Sequence, residues 1–307
     1  MRLSLLNLIS TPVPVLNSLE LRVRVGLSSE DPMGTRYASE PYEAFLSIYS
    51  PEGVFLERVP LGGIPSNRRR MFDVSETTQR LVPNGDHLAV VHRIPVSLLD
   101  KYPNLDEEIE LPSEPDYSFF RSLVEFSYPG GGNGSVIYET PPNFNARPSS
   151  NTLTFTNQLV ISPETNSYLV LINSSTDPSY ARVADFFFGM YCLSGQRAVA
   201  DSVRVGPFGI QVIDMKQLIP NDVIERETDP EDGLSSFSLI GGSEDAAMLA
   251  MIINSAPGLK AVAVEHTHPP QAYLVPQDLS LQRQIKTLAQ FHWQSVISGA
   301  SDGQLSS

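Results

Sequence analysis

Four short segments of this sequence return in the same order well over a hundred residues later. Ser28-Ser29-Glu30-Asp31-Pro32 returns as Ser174-Ser175-Thr176-Asp177-Pro178, 146 residues on, and Ile48-Tyr49-Ser50 as Met190-Tyr191-Cys192, 142 on. Met71-Phe72-Asp73-Val74 returns as Val212-Ile213-Asp214-Met215, 141 on. Val124-Glu125-Phe126-Ser127-Tyr128-Pro129 returns as Val264-Glu265-His266-Thr267-His268-Pro269, 140 on. One order and a nearly constant offset predict a tandem duplication, over 17–142 and 157–277.

Each copy reads as strands. Leu19-Glu20-Leu21-Arg22-Val23-Arg24-Val25 alternates apolar and polar residues, the period of a half-buried strand. Phe45 to Tyr49, a Pro51-Glu52-Gly53 turn and Val54 to Val59 predict a hairpin. Residues 186–193, a Ser194-Gly195 turn and residues 198–205 predict its counterpart. Further strands are expected at 88–92, 123–128 and 136–138, with counterparts at 248–253, 261–268 and 272–275. Short strands, frequent Gly and Pro turns and the lack of alternating helices predict an all-β fold of antiparallel β-sandwiches, with a barrel as the other reading.

The expected layout is a first sandwich over 1–142, a linker over 143–156 and a second sandwich over 157–277. An amphipathic helix follows over 278–297, capped by Asp278 and striped by Leu281, Ile285, Leu288, Phe291 and Val296. A disordered tail closes the chain over 298–307. Acidic stretches at 106–110 and 225–232 read as solvated loops.

Composition narrows the function. Among 307 residues, 35 are acidic and 21 basic, a net charge of −14. A surface this acidic repels phosphate backbones, so nucleic acid is not an expected partner. No apolar run reaches the length of a membrane helix, and the start of the chain lacks the form of a secretory signal, so a soluble cytoplasmic protein is expected. The single cysteine, Cys192, sits in an apolar run and reads as a small buried hydrophobe. It allows neither an internal disulfide nor a multi-cysteine metal site. No Gly-x-Ser-x-Gly elbow anchors Ser-His-Asp catalysis, and no glycine cluster ends as a phosphate loop does.

Two places carry candidate chemistry. Arg68-Arg69-Arg70 is the dense basic cluster of an acidic chain, and strand alternation sends Arg68 and Arg70 to one face. Such a cluster either pairs with the protein's own carboxylates or docks an anion or acidic partner. His266 and His268, two apart on an expected strand, project together as two imidazole ligands of a transition metal would, and a third ligand must come from elsewhere. The other reading of that pair is structural. Apart from this metal, no cofactor is expected.

Leu46-Ser47-Ile48-Tyr49-Ser50-Pro51-Glu52-Gly53, leading through Arg58-Val59-Pro60 to Arg68-Arg69-Arg70-Met71-Phe72, resembles the small β-sandwich proteins called sensory rhodopsin transducers. Ala263-Val264-Glu265-His266-Thr267 is similar to the same family's Val-Gln-His-Thr segment. The resemblance touches about a third of each copy, and this chain departs from the family in carrying two copies. The basic pair stands only in the first copy and the His-Thr segment only in the second. The resemblance implies a non-enzymatic module that docks onto a partner or ligand. The leading expectation is therefore a soluble binding or adaptor module for a protein or small ligand. A metal-dependent enzyme or sensor and a structural oligomer are the alternatives, and a homo-oligomer is expected.

Overall fold

The computed structural model describes residues 2–7, 10–29, 40–110, 122–138, 152–175, 180–244 and 246–266. The chain divides into two compact units. The first comprises Met1–Pro148 with two later segments, Ile172–Ala181 and Gly206–Ile210; the second comprises Ser149–Leu171, Arg182–Val205 and Gln211–Ser307.

Among the described residues, ten strands belong to the first unit: β1 (Arg2–Leu3), β2 (Ser10–Val15), β3 (Arg22–Ser28), β4 (Tyr42–Tyr49), β5 (Phe55–Ile64), β6 (Arg69–Asp73), β7 (His87–Pro95), β8 (Ile109–Glu110), β9 (Ser122–Ser127) and β10 (Asn133–Tyr138). Eight follow: β11 (Thr152–Ile161), β12 (Asn166–Asn173), β13 (Ala184–Cys192), β14 (Arg197–Val205), β15 (Ile210–Asp214), β16 (Ser235–Glu244), β17 (Met248–Ala256) and β18 (Ala261–His266). Helices are short: α1 (Val74–Thr78), α2 (Val96–Lys101), α3 (Met215–Leu218) and α4 (Asn221–Glu227). The fold is all-β and antiparallel, as the alternation and turn chemistry predict.

The first unit has the sheets β2-β7-β4-β5 and β10-β9-β3-β6, and β1 pairs with β8 as a separate ribbon. Alternation builds its core. Val23, Val25 and Leu27 on β3 are buried, as are Val124 and Phe126 on β9 and Leu46, Ile48, Ala89 and Val91 on β4 and β7. Thr11 on β2 bonds Ser122 on β9, 2.7 Å between hydroxyls, tying one sheet to the other. Strand β2 contains Pro12 and Pro14. Two apart, they place their missing N–H groups on the same side, which an edge strand tolerates.

The remaining sheets are β11-β16-β13-β14 and β18-β17-β12-β15. Position for position this is the strand order of the first two sheets. Their core gathers Leu159, Leu171, Phe186, Phe188, Met190, Phe237, Leu239 and Ile252, all buried, with Cys192 at its edge.

Two of the recurring segments occupy equivalent strand positions, Ile48-Tyr49 on β4 with Met190-Tyr191 on β13, and Met71 to Asp73 on β6 with Val212 to Asp214 on β15; residues 30–32 and 176–178 of the first match lie outside the described residues. The match of Met71-Phe72-Asp73-Val74 with Val212-Ile213-Asp214-Met215 extends to its chemistry. Asp73 caps α1 by accepting the Glu76 N–H at 2.8 Å. Asp214 caps α3 by accepting the Gln217 N–H at 3.2 Å. Replacing Asp73 with alanine should cost about 1 kcal/mol, the usual worth of such a cap, read as a lower urea midpoint at unchanged slope.

The fourth match is corrected. It sets β9 against β18, whereas sheet position sets β9 against β17 and β10 against β18. The slip arises at β16, whose Ser-Ser-Phe-Ser-Leu-Ile-Gly-Gly-Ser-Glu sequence shows few large apolar residues. Its Phe237 and Leu239 are nonetheless buried, two apart, against alternating serines. Other boundaries shift too. β3 begins at Arg22 because Glu20 adopts a left-handed φ of 56° that ends a preceding 3-10 turn. β11 begins at Thr152, inside the expected linker, because Leu153 and Phe155 alternate with threonines in register with β16. Part of the acidic stretch at 225–232 lies in α4. The expected helix over 278–297 and the tail over 298–307 lie outside the described residues.

Candidate functional site

On β4, β5 and β7 a set of polar side chains meets in the middle of a buried sheet face. Phe45 pairs with His92 and Ser47 with Val90 across β4 and β7. Ser47 pairs with Arg58 across β4 and β5. Ser47 and His92 are two positions out of direct register on the same face, so their side chains meet diagonally. The Ser47 hydroxyl lies 2.9 Å from His92 Nε2. His92 Nδ1 lies 2.6 Å from the Leu6 carbonyl oxygen. A carbonyl can only accept, so Nδ1 carries the proton, Nε2 is the acceptor, and Ser47 donates to it. The imidazole is thus fixed in one neutral tautomer, and its burial pushes its pKa down to about 4.

Arg58 lies over this pair. Its Nε reaches toward the Ser47 oxygen at 3.4 Å. Its two terminal nitrogens fork onto Asp106 at 3.0 and 2.9 Å. That fork holds the Asp106 carboxyl below the usual carboxylate range. Tyr49, with its hydroxyl pKa raised by burial, stacks on Phe208 at 5.0 Å between ring centres. These groups, with Ser10, surround a cavity of about 180 Å³ within the first unit.

The sequence reading passed over this site. The signal was a lone polar residue inside an apolar run, Ser47 within Phe45-Leu46-Ser47-Ile48 and His92 within Leu88-Ala89-Val90-Val91-His92. A buried polar residue is more informative than any exposed apolar one. The 106–110 stretch is exposed except at Ile109, as expected of a solvated loop, but Asp106 in it also binds Arg58 and Ile109-Glu110 forms β8.

The sequence-predicted residues lie elsewhere. Arg68, Arg69 and Arg70 are all exposed, Arg68 just before β6 and the other two at its start, and β6 is an edge strand. Arg70 donates to the Gly63 carbonyl at 2.9 Å and stacks its guanidinium 4.8 Å over the Phe72 ring. Arg68 receives the Ser29 N–H on its carbonyl oxygen at 2.9 Å. The His266 and His268 pair is not brought into view: His266 ends β18, and its side chain and the whole of His268 lie outside the described residues. Among the described residues no group of three or more His, Cys, Asp or Glu side chains could hold a metal ion. Cys192 is buried, with its thiol pKa raised chiefly by burial.

No protein-family model matches the chain, and no curated protein does. Among solved structures, a glycosyl hydrolase family 2 member from Bacteroides cellulosilyticus shares 6% identity, over 85% of this chain and 28% of that one, at a TM-score of 0.19. A Bacteroides uniformis β-glucuronidase shares 8%, over 84% and 25%, at 0.19. The infectious bursal disease virus VP2 subviral particle shares 12%, over 82% and 62%, at 0.16. The chain spans only about a quarter of the length of the two glycoside-cleaving proteins. Superpositions this poor carry no argument about what this chain does. Among the described residues, no helix is long and apolar enough to cross a membrane.

Proposed function

We propose that the protein is a non-catalytic binding module that recognises an acidic partner along β6. The observation that carries this reading is the exposure of Arg68, Arg69 and Arg70 on an edge strand of a chain whose net charge is −14. Arginine presents a planar fork suited to carboxylates, and the Phe72 ring and Gly63 carbonyl hold the Arg70 fork in place. An edge strand also offers backbone groups to an extended segment, so a peptide can be held by its main chain and selected by its charge.

The non-catalytic part of the reading is supported by the Ser47–His92 pair, whose hydroxyl already donates to the imidazole of a buried histidine. With a pKa of about 4, His92 is also a weak base.

The test uses poly-L-glutamate as the probe. Wild-type protein should bind it with an affinity that falls as salt rises, and Arg68→Glu/Arg69→Glu/Arg70→Glu should weaken binding by about 10-fold or more. Equal binding by the folded triple variant would remove the β6 edge as the docking site.

A further inference from the structure

The Arg58–Asp106 fork is a second arginine–carboxylate feature, separate from the edge arginines. Both residues line the cavity over Ser47 and His92. They meet from opposite sides. Arg58 is rooted in β5 with its side chain only 23% exposed, while the Asp106 side chain is 70% exposed. Asp106 lies between β8 and α2, where local turn contacts surround it: its own N–H donates to Asn104 Oδ1 at 3.2 Å, and the Glu107 N–H donates to the Asn104 carbonyl at 3.3 Å. The covered guanidinium is thus built into the sheet, and the carboxylate that satisfies it comes in from a solvent-facing turn.

We propose that the cavity is a site for a small carboxylate with an uncharged body, and that Asp106 occupies its carboxylate seat in the unliganded protein. Asp106 itself shows the chemistry the seat takes, because a bidentate fork selects planar oxyanions. The cavity behind the fork fits the rest of such a molecule. Its volume of about 180 Å³ suits an anion the size of a short hydroxy acid or an aromatic acid. Tyr49, stacked on Phe208 with planes 13° apart, supplies a flat wall. Ser10 and Ser47 supply hydroxyls. With His92 neutral and Arg58 the cation at the mouth, one negative charge on the ligand balances the site once Asp106 swings out. Ligand entry therefore exchanges one carboxylate for another on Arg58 and frees the 102–108 turn.

Isothermal titration of the full chain with acetate, lactate and benzoate, and with benzamide as the uncharged isostere, tests this. Asp106→Asn empties the seat of its charge, so it should bind at least one of the three acids about 10-fold more tightly than wild type. Adding Arg58→Lys, which keeps the charge but loses the fork, should reverse that gain. Benzamide should bind to neither. No binding of any of these acids by folded Asp106→Asn would overturn the proposal, as would benzamide binding as well as benzoate, or affinity indifferent to Arg58→Lys. Should the variants fail to fold, the wild-type protein decides. The His92 ring resonances should shift saturably as benzoate is raised to tens of millimolar, and unmoved resonances would overturn the site. Because Arg68, Arg69 and Arg70 take no part in it, loss of poly-L-glutamate binding and loss of carboxylate binding separate the two readings.

Discussion

Lowering the pH from 7 toward 4 should cost the protein about 3 kcal/mol through His92 alone. The folded protein binds the His92 proton at about pH 4, against an ordinary value of 6.5 for a solvated histidine. Between those values the unfolded chain holds more protons than the folded one. Stability is therefore lost as pH falls through that window and is level above it. At about 1.36 kcal/mol per pH unit the gap amounts to about 3 kcal/mol. The physical cause is burial first, with Arg58 adding to it. The Leu6 carbonyl and Asp106 pull the other way. A proton on Nε2 would also turn an acceptor into a donor facing the Ser47 hydroxyl. His87, buried near Asp86, is shifted down as well, so it adds to the same slope. Urea unfolding of wild type and His92→Gln between pH 7 and 4.5 reads the effect, in a range that keeps Asp106 ionised. Wild type should lose stability steeply below pH 6.5. His92→Gln should start lower and fall less, and equal slopes in the two proteins would refute the assignment.

The same residue shows where sequence reading stops. Period-2 alternation identified β3, and apolar runs bounded by turn residues identified β4, β9 and β13, because the buried residues of these strands are mostly large and apolar, so pattern and burial carry the same information. It missed β16, where the buried Phe237 and Leu239 are set among serines and glycines, and β2, which carries Pro12 and Pro14. Proline marks an edge strand as readily as a loop, and only pairing partners distinguish them. The Ser47–His92–Arg58–Asp106 set was invisible for another reason. Its members lie 45, 11 and 48 positions apart in the pairs that bond, Ser47 to His92, Ser47 to Arg58, and Arg58 to Asp106. No local spacing encodes such a cluster; the register of β4 against β5 and β7 does. The Arg68–Arg70 cluster was legible because exposed charge in a row needs no partner strand to be seen.

The β4–β5 turn is closely covered by the 206–210 segment. Gly53→Ala should destabilise the protein by about 3 kcal/mol, well beyond the cost of the same change at Gly195. The two glycines hold equivalent turns, Gly53 in the β4–β5 hairpin and Gly195 in the β13–β14 hairpin, with φ of +92° and +82°. A left-handed φ costs an L-residue about 1–2 kcal/mol at either place. What differs is the space. A Cβ on Gly195 meets nothing within 4 Å, whereas a Cβ on Gly53 would lie 2.0 Å from the Pro207 carbonyl oxygen. That carbonyl belongs to the Gly206–Ile210 segment, which is part of the same compact unit. The segment cannot simply retreat. The Ile210 N–H donates to the Pro51 carbonyl at 2.9 Å, and the Phe208 ring stacks on Tyr49. Relieving the clash must break the hydrogen bond, unstack the rings or distort the turn, and overpacking of this kind adds about 1–3 kcal/mol. Denaturant midpoints of the two variants measure the difference directly. Gly195→Ala should lose about 1–2 kcal/mol from φ alone, and Gly53→Ala should lose clearly more. Since Tyr49 is a wall of the cavity, Gly53→Ala should also move the His92 ring resonances while Gly195→Ala leaves them in place. Equal losses from the two substitutions would mean that the 206–210 segment does not rest on the β4–β5 turn in solution.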